Sequence, residues 1–438
     1  MNIDELLTLL DGELISGDIF KKIKGFKIDT RILEKEEAFI ALGGNSKGMN
    51  YIMEAIHKKA SAIIVDERVE IETKVPIILV PNTYDALFKI ATFYRRKYPI
   101  FYIGITGSNG KTTTKELIYT VLKEKFTVLK NEKNYNNHIG VPLTLFRLSE
   151  KYEIAIVEMG MNHKGEIEDL SKLVKPTLGI ITNIGTSHIG NLGSKKNIFK
   201  AKMEITEGME DGLLLVNGDD SYLKKVKNQK NYDVIYCGHN SSYGLSPYQI
   251  EVKENVLAFC LEYKEKEYRV SVSVSGEHFL VDILLAIEVG LLFNMEMEEI
   301  IHALSHFKAS SNRMHILHKE NYIIIDDCYN ANYDSFKGLI SYLKKRKEEK
   351  IVIVGDMLEL GKYSKKYHLK LKRQLQKLKK CKVLLIGKET ECMKDSKMIH
   401  FDTKEDIITY LAEEPLNGKL IVCKGSRGMH LEEIIKTL

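Results

Sequence analysis

The chain has 438 residues, 44% of them apolar and 29% charged, and 65 Lys and Arg against 60 Asp and Glu leave a net charge of +5. That length exceeds what one hydrophobic core serves, so several domains are expected. So weak a positive charge calls for no nucleic-acid partner. There is no apolar run of roughly 18 residues and no basic leader ahead of the acidic Met1-Asn2-Ile3-Asp4-Glu5, so the sequence reads as cytoplasmic, with no membrane insertion.

In residues 1–98, Ala38-Phe39-Ile40-Ala41-Leu42, Ala62-Ile63-Ile64-Val65 and the proline-bracketed Ile77-Ile78-Leu79-Val80 read as strands. Helices are expected over 51–59 and 84–98, and Pro99 marks a domain boundary. From 99 to 311, near-continuous apolar runs alternate with helical patterns, as in a mostly parallel sheet covered on both faces. The stretch 232–275 alternates instead and predicts antiparallel hairpins inserted late in that domain. From 312 to 438, four further apolar runs with helices between them predict a Rossmann-like unit. The fold class is therefore α/β in three domains. Six cysteines (237, 260, 328, 381, 392, 423) show no C-x-x-C spacing and are expected to be reduced thiols. The Lys-rich stretch 363–382 places Tyr367, Leu371, Leu375 and Leu378 at helical spacing, so its lysines read as a solvated face.

The chemistry starts where Tyr102-Ile103-Gly104-Ile105-Thr106 runs into Gly107-Ser108-Asn109-Gly110-Lys111-Thr112-Thr113. Glycines let backbone N–H groups face phosphate oxygens, and the N-terminus of the following helix adds its partial positive charge. Lys111 would reach the outer phosphates and the Thr112 hydroxyl would ligate Mg²⁺. Downstream, Asn134-Tyr135-Asn136-Asn137-His138 gathers polar side chains that burial would penalise unless they meet a ligand. Ile154-Ala155-Ile156-Val157-Glu158 ends a strand on a carboxylate, where a metal-organising acid belongs. Ile180-Ile181 leads to His188, a third candidate metal ligand. Arg313 and the turn Asp326-Asp327-Cys328-Tyr329-Asn330-Ala331-Asn332 carry groups that suit a ribose and an adenine edge.

Taken together and in this order, these stretches resemble the Mur ligase family of ATP-dependent amide-forming ligases. Asn136 to Pro142, Glu158-Met159-Gly160-Met161, Gly355-Asp356-Met357-Leu358-Glu359-Leu360-Gly361 and Lys424-Gly425-Ser426-Arg427 are similar to the branch that adds a D-alanyl-D-alanine dipeptide. The resemblance implies a first domain (1–98) for the uridine end of a UDP-N-acetylmuramoyl-tripeptide, a second (99–311) for ATP and a third (312–438) that receives the dipeptide. It implies ATP and Mg²⁺ as cofactors, small-molecule substrates and a monomer. Lys111, His188 and Lys202 would be catalytic, Lys202 matching a lysine that several members carbamylate. Gly107 to Thr113, Arg313, Asp327 and Asn330 would hold the nucleotide, and Thr112, Glu158 and His188 the metal. Asp29, Thr30, Arg31, Asn136, Asn137, Lys424, Ser426 and Arg427 would meet substrate. Two departures stand out: Gly44 to Asn50 lacks the family's acid and imidazole, and Tyr333 replaces a proline.

Overall fold

A computed structural model describes residues 1–253, 255–308 and 313–438. The boundary expected at 311/312 lies outside the described residues. The first sheet orders its strands Glu13–Ser16, Ile77–Leu79, Ala62–Val65, Glu37–Ile40 and Gly25–Lys27, parallel except for the first pair. Helix Thr83–Lys97 follows, started by the Asn82 side chain, which accepts from the N–H groups of Tyr84 and Asp85.

The central sheet is wholly parallel: Tyr232–Cys237, Gly212–Asn217, Leu178–Ile181, Phe101–Thr106, Ile154–Glu158 and Val128–Lys130. Its middle strands are apolar almost throughout because helices cover both faces, and Ile103, Ile105, Ile156 and Ile180 are fully buried. The expected antiparallel hairpins are present, but they begin at Pro247, not at 232. Strands Pro247–Lys253, Val256–Tyr263 and Lys266–Val272 form a separate three-stranded sheet. Tyr232–Cys237 instead closes the parallel sheet; it lies at the edge, where Asp233 is exposed and Val234 to Tyr236 are half-buried, and so mimics an alternating pattern.

The third sheet runs His315–His318, Ile323–Asp326, Lys419–Lys424, Glu349–Gly355, Cys381–Ile386 and Met398–Phe401, parallel after an antiparallel first pair. The Lys-rich segment forms helix Ser364–Leu375 with Tyr367, Leu371 and Leu375 inward, as its spacing requires. No helix of the described residues is long and apolar enough to cross a membrane.

The N-terminal unit rests on the central one through Phe26 against Phe146 (centroids 5.4 Å apart) and Arg95, whose Nε donates to the Val174 carbonyl at 2.9 Å. The C-terminal unit meets the central one over the turn after the third central strand. The Gly190 N–H donates to the Glu359 carbonyl at 3.0 Å, and the Tyr363 hydroxyl donates to the Gly193 carbonyl at 2.6 Å. A Cβ on Gly190 would lie 2.6 Å from that Glu359 oxygen, so only glycine permits the approach.

Candidate active site

The carboxyl ends of the central strands open into a cleft of about 700 Å³ that the C-terminal unit roofs. Strand Phe101–Thr106 delivers the glycine loop to its floor. Gly107 has φ +151° and a Cβ there would overlap Thr182 Oγ1; Gly110, at φ +80°, begins helix Lys111–Leu122. The loop is held from the neighbouring strand: Ser108 N–H donates to the Asn183 carbonyl and Asn109 N–H to Asn183 Oδ1, both at 3.0 Å. The helix N-terminus therefore faces the cleft with its free N–H groups.

Lys111 Nζ folds back to donate to the Gly107 carbonyl at 2.8 Å. Desolvation lowers its pKa from the ordinary lysine value, the nearby Glu158 opposes this and Arg313 adds to it. An ammonium so placed gains most from an incoming anion. Thr112 Oγ1 donates to Glu158 Oε2 at 2.9 Å, and Asn136 Nδ2 donates to Glu158 Oε1 at 2.7 Å. A hydroxyl beside a carboxylate is an oxygen pair of the kind a hard divalent cation takes, with phosphate oxygens and waters completing its shell. Among the described residues, no group of three or more His, Cys, Asp or Glu side chains could hold a metal ion. His188 lines the same cleft, at φ +59°, with Nδ1 2.7 Å from Glu359 Oε2 across the domain seam.

Two supports of Glu158 escape a reading for motifs. Lys115, wholly buried, has Nζ 3.7 Å from Glu158 Oε2 and donates to the carbonyls of Asn131 (3.1 Å) and Lys133 (3.0 Å). Asn131 Oδ1 accepts from the Glu158 N–H at 2.6 Å. The signal for Lys115 was there: with Ile118 and Leu122 it falls at i, i+3, i+7, on the helix face that turns inward.

Lys202, on helix Lys195–Met203, is buried, and its ammonium makes no hydrogen bond or ion pair among the described residues. Desolvation, then repulsion from Lys111, pushes its pKa well below the ordinary lysine value.

Asp282, on helix Leu280–Leu292, was also missed. Its carboxyl accepts from Thr114 Oγ1 at 3.1 Å, and a Cβ on Gly110 would lie 2.6 Å from its Oδ1. Desolvation raises its pKa from 3.8 to about 8. The native state thus keeps a proton that the unfolded chain sheds, and stability falls as pH rises from near 4 to near 8. Asp282→Asn is expected to melt several degrees above the parent at pH 8, with the gap closing toward pH 4, in thermal melts without nucleotide.

From the C-terminal unit, an Arg313 Nη donates to Thr112 Oγ1 at 3.1 Å and the guanidinium lies 3.9 Å over the Tyr329 ring. Lys424 Nζ, buried, donates to Asp327 Oδ2 at 2.6 Å and to the Asn330 carbonyl at 3.1 Å. Arg313, Asp327, Asn330 and Lys424 all line the cleft, as do Asn136 and Asn137 from the central unit. Ser426 and Arg427 do not: the Ser426 hydroxyl accepts from the Leu358 N–H at 2.9 Å, and exposed Arg427 pairs with Glu432 at 2.8 Å. Asp29, Thr30 and Arg31 lie outside it too, in the N-terminal unit, where Asp29 clasps the Arg31 guanidinium through both oxygens.

A glycine loop on a parallel sheet, a hydroxyl–carboxylate pair beside it and a Rossmann-like unit closing overhead define a three-domain nucleotide-binding protein of the ATP-dependent ligase class. Residues 105–290 match the Mur ligase middle domain, and residues 312–427 match the Mur ligase glutamate ligase domain. The UDP-N-acetylmuramoyl-tripeptide–D-alanyl-D-alanine ligase of Bacillus subtilis (strain 168) is 34% identical over 434 residues, covering 95% of this chain and 93% of the relative. The crystal structure of MurF from Acinetobacter baumannii superposes with a TM-score of 0.90 at 26% identity, covering 99% and 98% of the two chains. MurF ligase from Thermotoga maritima in complex with ADP gives 0.85 at 27% identity, covering 95% and 96%. The chain belongs to the Mur ligase family.

Proposed function

We propose that this chain joins D-alanyl-D-alanine to the terminal carboxylate of a UDP-N-acetylmuramoyl-tripeptide at the expense of ATP, in peptidoglycan precursor synthesis. The observation that carries the reading is the convergence of Lys111, the Thr112–Glu158 pair and Arg313 on one phosphate-sized cradle under a closing domain. A carboxylate is a poor electrophile. Its oxygen attacks the γ-phosphorus of ATP, ADP leaves, and the acyl phosphate gains a good leaving group. The free dipeptide amine then attacks the acyl carbon, and the tetrahedral intermediate collapses, expelling phosphate and losing the ammonium proton.

Two anions must meet in the first step, so Lys111 and the helix N-terminus screen the phosphates while Arg313 steadies the loop from above. Thr112 and Glu158, with His188 beside them, would hold Mg²⁺, which supplies further charge neutralisation at the γ-phosphate. Asp327 and Asn330 hold the nucleoside, and Asn136, Asn137 and Lys424 face the reacting substrates. Ser426 and Arg427 are assigned to the dipeptide and Asp29, Thr30 and Arg31 to the uridine nucleotide, by family likeness alone. An unprotonated Lys202 amine is the form that adds CO₂ to become a carbamate. Seating of 312–438 over 99–311 keeps water from the acyl phosphate. The division at 98/99 and 311/312, a monomeric state and a cytoplasmic setting complete the reading.

The test is product mass. Incubation with ATP, Mg²⁺, a UDP-muramoyl tripeptide ending in lysine or diaminopimelate, and D-Ala-D-Ala, D-Ala-D-lactate or D-Ala-D-Ser is expected to yield the pentapeptide mass with one ADP per bond. ADP release that depends on a single amino acid, and on no dipeptide, would redirect the assignment to a folylpolyglutamate synthetase-like or another cell-wall ligase.

A further inference from the structure

Asn332 fills one crossing between the C-terminal unit and the phosphate loop. It is buried, and it is the N-cap of helix Tyr333–Lys345, where its Oδ1 accepts from the Ser335 N–H at 2.8 Å. Its Nδ2 reaches into the central unit, donating to Asn109 Oδ1 at 2.6 Å and to Ser187 Oγ at 2.8 Å. Asn109 Nδ2 returns a longer bond of 3.3 Å to Asn332 Oδ1. Both donors and both acceptor directions of the Asn332 amide are therefore used within the protein, so this side chain is not open to a ribose or an adenine edge.

Its two partners are not ordinary surface groups. Asn109 is the loop residue whose N–H and carbonyl are both gripped by the Asn183 side chain, each at 3.0 Å. Ser187 Oγ donates onward to the Ser108 carbonyl at 3.1 Å and precedes His188. One amide thus touches both the glycine loop and the turn that presents His188. Lifting the C-terminal unit would break both Nδ2 bonds at once and release the Asn109 side chain.

We propose that Asn332 is a positioning residue that couples seating of the C-terminal unit to the conformation of the phosphate loop, so that the loop reaches its working shape only when the roof is closed. The role is distinct from helix capping, and the two are separable. Serine caps a helix about as well as asparagine, yet it is too short to reach Asn109 and has no amide to offer. The proposal rests on the ligase reading above.

The experiment compares Asn332→Ser and Asn332→Ala with the parent chain by thermal melting, steady-state ADP release and small-angle X-ray scattering in Mg²⁺ and ADP. Asn332→Ser is expected to melt close to the parent. Its KM for ATP should rise, and its kcat fall, together by about 10- to 100-fold in kcat/KM, the scale of a small misplacement of reacting groups. The KM for the UDP-linked substrate should stay unchanged. The radius of gyration with ADP should exceed the parent's. Asn332→Ala should show the same kinetic and scattering changes with a lower melting point. Parent-like constants and radius in Asn332→Ser, or activity that falls only in step with the melting point, would overturn the proposal. Failure of the parent itself to form product would sink the ligase reading instead, while the scattering comparison would still judge Asn332.

Discussion

Lys111→Ala is expected to lower kcat/KM for ADP formation by about 10³-fold or more, the cost of removing a charged group aimed at transferring phosphates. The melting point should not fall. Among the described residues the Lys111 ammonium has no carboxylate within hydrogen-bonding distance and donates to the Gly107 carbonyl at 2.8 Å, and desolvation is the dominant influence on it. Removing it relieves a charge that burial disfavours, so the variant stays folded and stays inactive. Calorimetric melting together with an ADP-release assay checks both halves. Turnover within a few-fold of the parent would mean that the loop does not act on phosphate.

Glu158→Gln combines a functional and a structural effect, and the two can be pulled apart. The amide can still accept from Thr112, but it no longer offers a charge to a cation, so half-saturation by Mg²⁺ should move up at least tenfold, or turnover should stop. The second effect comes from Lys115, which sits 3.7 Å from Glu158 with its side chain wholly buried. Losing the carboxylate removes one of two that face that ammonium, Glu116 Oε1 remaining 3.5 Å away, so the cost falls below the roughly 3 kcal/mol of breaking an isolated buried pair. The Asn131 and Lys133 carbonyls, which Lys115 also keeps, reduce the loss further. Adding Lys115→Met to Glu158→Gln is expected to restore part of the melting point and none of the magnesium response. A magnesium titration unchanged in the single variant would remove Glu158 from the metal site.

The phosphate loop was legible because everything it needs is local: a strand, glycines at two strained turns, Lys-Thr, then a helix. The central and C-terminal sheets were legible because strands covered on both faces carry unbroken apolar runs. The edge strand Tyr232–Cys237 was not, since one open flank leaves its side chains half-exposed and imitates a hairpin. The hydrogen bond from Thr114 to Asp282 joins residues 168 apart, and that from Asn332 to Asn109 joins residues 223 apart. Such partners are set by which strand ends the fold brings together, and no spacing along the chain announces them. Lys115 stands between these cases. Its inward position follows from helical periodicity, but a buried lysine gains meaning only once its carboxylate is known.

The bare contact between Gly190 and the Glu359 carbonyl makes residue 190 a point where one added carbon can hold two domains apart. Two domains that meet there backbone to backbone leave no room for even a methyl group, so Gly190→Ala would have to spread the seam. Such a variant would prop the jaws of the enzyme ajar without altering any residue that lines the nucleotide cleft.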